Sequence, residues 1–104
     1  MELFRVSVES HRCAATVYVA GQLNEHAAEA LDEVVRDVLP SARVMRVDLR
    51  GVVSIDPCAF ANVVRSLSRW RDERHAQVII QFPERSPRGP ARHRYRITAT
   101  LAST

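Results

Sequence analysis

Apolar and polar residues alternate at the start of the chain, as they do in a β-strand with one buried face. Over residues 3–9, Phe4, Val6 and Val8 share one face, and polar residues occupy the other. Residues 14–20 are rich in β-branched and aromatic side chains and predict a second strand. The polar residues between these segments predict a turn, so we expect a β-hairpin.

From residue 25 onward, apolar residues recur every three to four positions instead of every two. We predict an amphipathic helix over residues 25–39 because one side is apolar and the other is charged. Gly21 permits backbone angles that other residues avoid, Asn24 is a suitable N-cap, and Pro40 predicts the end of the helix. The apolar positions are Ala27, Ala30, Leu31, Val34, Val35, Val38 and Leu39.

The pattern continues with a mostly buried strand over residues 43–49, a second amphipathic helix over 57–73 and an apolar strand over 77–82. Between the first two, residues 50–56 predict an exposed loop, with Asp56 as the N-cap and Pro57 at the first helical position. The order is β-β-α-β-α-β. Right-handed crossovers make the later strands parallel. We therefore expect an α/β fold with a single mixed, largely parallel β-sheet packed by amphipathic helices.

Proline and arginine change the character of the chain after residue 83. We assign a domain to residues 1–83 and a basic, Pro/Arg-rich C-terminal tail to residues 84–104. Within that tail, residues 95–101 fit either a strand or a short helix. Residues 85–104 contain five arginines and no acid, whereas the rest of the chain is mildly acidic. An alternative function is therefore a nucleic-acid-binding module that uses the tail. The acidic body and the lack of a nucleic-acid-binding motif disfavour it.

Several functional classes lack support in the sequence. Cys13 and Cys58 do not make a disulfide framework, and His11 with Cys13 is weak evidence for a metal, so we predict neither metal nor cofactor. No nucleophile–His–acid arrangement or phosphate loop is present, and we predict no enzyme. No apolar run approaches the ~20 residues that span a membrane, and the start of the chain has no signal-peptide layout. We expect a cytoplasmic protein without membrane association.

Three segments together resemble the STAS domain, the fold of bacterial anti-sigma factor antagonists. Residues 21–24, Gly-Gln-Leu-Asn, are similar to the family's Gly-Glu-Leu-Asp turn. Residues 48–52, Asp-Leu-Arg-Gly-Val, are similar to its Asp-Leu-Ser-Gly-Val strand end. Residues 55–60, Ile-Asp-Pro-Cys-Ala-Phe, are similar to its phosphorylation loop, Ile-Asp-Ser-Ser-Gly-Leu. The resemblance covers about residues 3–83.

This resemblance implies a bacterial regulator of transcription that acts by protein–protein interaction. Antagonists of this family bind an anti-sigma factor, usually a serine kinase, and phosphorylation of a serine at the start of the second helix ends the complex. A phosphate adds about −1.5 to −2 charge, which disrupts a docked surface. Here Cys58 occupies the acceptor position, with Pro57 before it and Ala59 after it. The usual serine phospho-switch is therefore absent from this position.

Cys58 has three interpretations. It is an inert, semi-buried replacement for serine, part of a docking surface without a phospho-switch, or a redox sensor, since a helix N-terminus favours the thiolate. Ser54 is the alternative phospho-acceptor. By the resemblance, we predict a surface that binds an anti-sigma factor or switch kinase. Its residues are Gly21, Asn24, Ser54, Asp56, Cys58, Asn62, Arg65 and Ser66.

Overall fold

The computed structural model describes residues 3–38, 41–83 and 98–101, which form one β-sheet with two helices. The predicted α/β fold is confirmed, and its elements follow the predicted order with one further strand at the end. The elements are β1 (Phe4–His11), β2 (Ala14–Leu23), α1 (Glu25–Arg36), β3 (Val44–Ile55), α2 (Pro57–Arg74), β4 (Gln77–Gln81) and β5 (Thr98–Leu101).

The sheet has the strand order β1-β2-β3-β4-β5. β1 and β2 form the predicted antiparallel hairpin, in which Arg12 of the turn has a φ of 56°. β3 lies parallel to both β2 and β4, and β5 returns antiparallel to β4. Part of the segment for which the sequence left a strand and a helix open is thus a strand, residues 98–101. Residues 84–97 lie outside the described part of the chain, and the predicted boundary at residue 83 stays a prediction.

Both helices lie on one face of the sheet because the two right-handed crossovers step across it in the same direction. The core between helices and sheet is made of side chains that are almost fully buried, among them Val17, Leu31, Met45, Val47, Leu67 and Val78. Trp70 of α2 is buried in this core. The guanidinium of Arg74 lies 4.9 Å from the centre of the Trp70 ring. No helix in the described ranges is long and apolar enough to cross a membrane.

The opposite face of the sheet carries polar side chains that interact with one another. The Asp48 carboxylate accepts hydrogen bonds from the Arg50 backbone N–H at 3.0 Å, from its Nε at 3.0 Å and from its Nη2 at 2.7 Å. Asp48 is buried, so these three bonds satisfy a carboxylate that is largely removed from water. On the neighbouring strands, the Tyr18 hydroxyl donates to Glu9 Oε2 at 3.2 Å.

The predicted ends of three elements were wrong. α1 ends at Arg36 instead of residue 39, and Asp37 caps it with a backbone N–H that donates to carbonyls of the last turn. β2 and β3 continue to Leu23 and Ile55, through segments that we expected to be a turn and a loop. They continue because the two strand ends pair with each other, with Leu23 opposite Ile55. Two register shifts let β3 gain residues on β2 along the way.

Candidate functional site

The ends of β2 and β3 bring the two motif segments into direct contact. Gln22 is paired with Ser54, and the Asp56 N–H donates to the Leu23 carbonyl at 2.9 Å. Residues 21–24 and 53–58 therefore form one continuous surface where both helices begin. We call residues 21–24 and 53–58 the strand-end surface.

Gly21 is required by the backbone of this surface. Its φ is 89°, a region that disfavours every residue with a Cβ atom. An added Cβ atom would lie 2.4 Å from the Leu3 carbonyl oxygen, the same oxygen that accepts a 2.7 Å hydrogen bond from the Gln22 N–H. Glycine at this position thus allows β1 to lie close against the end of β2. The predicted unusual backbone angle is confirmed.

Asn24 and Asp56 fix the starts of the two helices. Asn24 Oδ1 accepts from the Ala27 N–H at 2.9 Å, and Asp56 Oδ2 accepts from the Ala59 N–H at 3.2 Å. Each side chain satisfies a backbone donor of a first turn, which lacks partners within the helix. Both predicted N-caps are confirmed, so these two residues position the strand-end surface by holding both helix starts in place.

Cys58 is the second residue of α2, and its side chain is exposed. The prediction that Cys58, as an inert replacement for serine, would be semi-buried was therefore wrong. Because Asp56 and Pro57 begin the helix here, Cys58 is presented to solvent at the first turn. Ser54, the alternative acceptor, is also exposed and lies next to the last residue of β3. A partner that covered this surface could contact both side chains.

Two apolar residues of the strand-end surface were missed by the sequence reasoning. Val53 is 81% exposed and Ile55 is 37% exposed, whereas their neighbour Val52 is buried. The register shifts between β2 and β3 interrupt the alternation of buried and exposed residues, which leaves Val53 facing solvent. Two adjacent valines in a segment predicted to be an exposed loop were the available signal. A single exposed apolar side chain is common on protein surfaces, so Val53 is informative only through its position beside Ile55 and the motif residues.

The predicted residues of α2 continue the surface along the helix. Asn62 lies one turn after Cys58, and Arg65 and Ser66 lie one turn after Asn62, so the four residues share a face. Asn62 and Arg65 are exposed and are joined by a 3.4 Å hydrogen bond. Ser66 is half-buried, and its hydroxyl donates to Asp32 of α1, so it joins the two helices.

A groove of about 430 Å³ runs between α1 and α2 beside this face. Its charged lining is Glu25, Glu29, Asp32 and Arg36 from α1, which together are acidic, and Arg65 and Arg69 from α2. Its two walls thus carry opposite charge. Asp32 is already engaged, since its second oxygen lies 2.8 Å from Arg36. Among the described residues, no cluster of three or more His, Cys, Asp or Glu side chains is arranged to hold a metal ion.

No protein-family model and no curated protein matches this sequence. Solved structures do match. SpoIIAA, an anti-sigma factor antagonist in its unphosphorylated form, superposes with a TM-score of 0.62 at 14% identity, over 73% of this chain and 71% of its own. A STAS-domain anti-sigma factor antagonist from Rhodobacter sphaeroides gives 0.61 at 20% identity, over 75% of this chain and 85% of its own.

A third structure, Mglu, gives a TM-score of 0.68 at 22% identity over 76% of this chain. The chain spans only one fifth of the length of Mglu. These likenesses define the class of fold. The chain has a STAS-like fold, as its three sequence motifs predicted.

Proposed function

We propose that this protein is a non-enzymatic regulatory domain that binds an anti-sigma factor, or a related switch kinase, through the strand-end surface and the adjoining face of α2. The anti-sigma factor antagonists that share the fold support this choice of partner class. In this proposal the chain acts in the bacterial cytoplasm and regulates transcription by protein–protein contact.

The observation that carries the proposal is the exposure of Val53 beside the motif residues. Val53 is 81% exposed at the point where two capped helices and two strand ends meet. Fully burying a valine side chain contributes about 1.5–3 kcal/mol. The residues on either side of Val53 are paired with β2, and side-chain caps hold both helix starts, so binding needs to order little further backbone. The strand-end surface thus combines an apolar contact with a fixed geometry.

The proposed complex lacks the serine phospho-switch at the start of α2. Cys58 is exposed where a partner kinase would reach it, but its thiol is not the hydroxyl that serine kinases modify. We therefore expect that the complex stays intact when ATP is added. A Cys58→Ser variant restores a hydroxyl at the first turn, and we expect it to gain ATP-dependent phosphorylation and release from a partner kinase.

The binding test titrates the purified protein against each purified anti-sigma factor kinase of the source organism, by calorimetry. We expect Val53→Lys to raise the dissociation constant about ten- to a hundredfold, because each 1.4 kcal/mol corresponds to about tenfold in affinity. Val8→Lys is the matched control. Val8 is the same residue type and is 46% exposed, but it lies on β1 outside the strand-end surface.

Equal effects of the two lysine substitutions, or no binding by any candidate, would contradict the proposed surface. Cys58→Asp provides a second test, because it places a negative charge where a phosphate would stand. We expect it to weaken binding more than Cys58→Ser does. Release of the unmodified protein by ATP, with phosphate found on Ser54, would place the switch at the alternative acceptor.

A further inference from the structure

β1 forms one edge of the sheet and pairs regularly with β2. Its eight residues pair with β2 without a register shift. Within the described ranges, no strand pairs with its outer side. Edge strands are usually protected from pairing by proline, bulges, short length or charged side chains. β1 has no proline and no register shift and is eight residues long, and its charged residues Arg5 and Glu9 are of opposite sign. The outer side of β1 is therefore available to a further strand.

The hydrogen-bonding groups on that outer side can be assigned from the hairpin. The Leu3 carbonyl accepts from the Gln22 N–H, so Leu3 directs its backbone groups towards β2. In an antiparallel ladder these directions alternate from residue to residue. Phe4, Val6, Val8 and Ser10 consequently direct both their N–H and C=O groups away from β2. An incoming strand must pair with these four residues.

We propose that β1 pairs antiparallel with β1 of a second copy of this chain, with Ser7 on the two-fold axis. In this register Phe4 faces the second copy's Ser10, and Val6 faces its Val8. All four outward-directed residues of each copy then form hydrogen-bonded pairs. Arg5 of each copy faces Glu9 of the other, and opposite charges in directly facing positions stabilise strand pairs.

The neighbouring registers form fewer hydrogen-bonded pairs and do not place Arg5 opposite Glu9. Hydrogen bonding requires outward-directed residues to face one another, so the register changes only in steps of two. Such a shift places Arg5 opposite either Ser7 or His11 and leaves one of the four outward-directed residues without a partner in β1. The sequence of β1 is thus self-complementary in one register, which is what a symmetric dimer requires.

The side chains of β1 fit this arrangement on both faces of the sheet. On the helix-bearing face, Val8 is 46% exposed and Val6 is half-buried. Pairing places them against each other across the junction and removes apolar surface from water. On the polar face, Glu9 uses Oε2 for the Tyr18 hydroxyl, which leaves Oε1 for Arg5 of the second copy. The product is one continuous sheet through two chains.

Sedimentation of the full chain over a concentration series tests the association directly. We expect wild type to reach twice the 11.7 kDa chain mass. Arg5→Glu and Glu9→Arg each place like charges opposite one another and are expected to raise the dimer dissociation constant at least about tenfold. The double variant Arg5→Glu/Glu9→Arg restores opposite charges and is expected to return to within about threefold of wild type. Far-ultraviolet circular dichroism verifies that each variant is folded.

A cross-link tests the register. With Cys13 and Cys58 replaced by serine, Ser7→Cys places two thiols on the two-fold axis, where directly facing residues have Cα atoms about 4.5 Å apart. We expect a disulfide-linked dimer under mild oxidation. His11→Cys is the matched control, since His11 is exposed on the same face but lies far from its counterpart in the second copy.

Three results would overturn the proposal: a monomeric wild type, a double variant that does not recover, or equal cross-linking of Ser7→Cys and His11→Cys. This inference does not depend on the proposed partner. Val8→Lys is expected to abolish self-association and to keep partner binding, and Val53→Lys is expected to do the reverse, so the two proposals fail separately.

Discussion

The substitution Gly21→Ala tests how strictly the geometry of the strand-end surface depends on one residue. The φ of 89° costs a residue with a Cβ atom about 1–2 kcal/mol. The new Cβ atom would lie 2.4 Å from the Leu3 carbonyl oxygen, so β1 must move away or the Gln22–Leu3 hydrogen bond must break. Losing that bond costs about 0.5–1.5 kcal/mol.

One effect opposes these costs. Alanine restricts the unfolded chain more than glycine does, and this effect raises the free energy of unfolding by about 0.4–1 kcal/mol. The expected net loss is therefore about 2 kcal/mol of the free energy of unfolding, since strain and hydrogen-bond loss outweigh the entropy gain. For a urea m-value of about 1.5 kcal/mol/M, the unfolding midpoint falls by about 1–1.5 M.

Urea unfolding followed by the fluorescence of Trp70 measures this loss, because Trp70 is the single tryptophan and is buried. Gly51→Ala is the matched control. Gly51 has no positive φ, and its added Cβ atom would lie 3.1 Å from the Ala20 Cβ atom, a tight contact with a small side chain. We expect a change within about 1 kcal/mol there, since the entropy gain offsets a mild overlap. If Gly21→Ala is no more destabilising than Gly51→Ala, the reasoning from backbone strain is refuted.

Three further predictions concern stability and ionisation. Asp56→Ala removes the cap of the Ala59 N–H and should lower the free energy of unfolding by about 1 kcal/mol in urea titrations, whereas an unchanged midpoint would mean that solvent replaces the cap. Leu31→Ala empties a fully buried position and should cost about 2–5 kcal/mol in the same assay; a loss below that range would contradict its place in the core. The hydrogen bond to the Glu9 carboxylate, and then its charge, raise the pKa of Tyr18 above its ordinary value. The stabilisation linked to this shift is present below the ordinary pKa, about 10, and is lost as pH rises through the raised value. Glu9→Gln should lower the Tyr18 pKa in an ultraviolet titration of a Tyr95→Phe background, and an unchanged pKa would refute the assigned cause.

The helices could be predicted from the sequence because their signals are local. The apolar period of α1, its Asn24 cap and the Asp56-Pro57 start of α2 all lie within a few residues of the structure that they determine. The end of α1 was misplaced because Val38 is buried after the helix has ended, so apolar periodicity continued beyond the helix.

The strand-end surface could be predicted only in part, because its strand character depends on distant residues. The segment from Gly51 to Ile55 is a strand since the end of β2 pairs with it, some thirty residues away in the chain. No local pattern encodes the register shifts, and for this reason the exposure of Val53 was missed. The pairing of β5 with β4 is non-local in the same way, which explains why propensity alone left a strand and a helix open.

The two halves of β3 differ in how many neighbouring strands they pair with. From Val44 to Asp48 it is held on both sides, by β2 and by β4. From Gly51 to Ile55, its only partner strand among the described residues is β2, through a ladder with two register shifts. Local opening requires fewer lost hydrogen bonds in the second half than in the first. The half that presents the docking residues is therefore less protected against local opening than the half that anchors the core, and a partner bound there would add contacts where the strand has fewest.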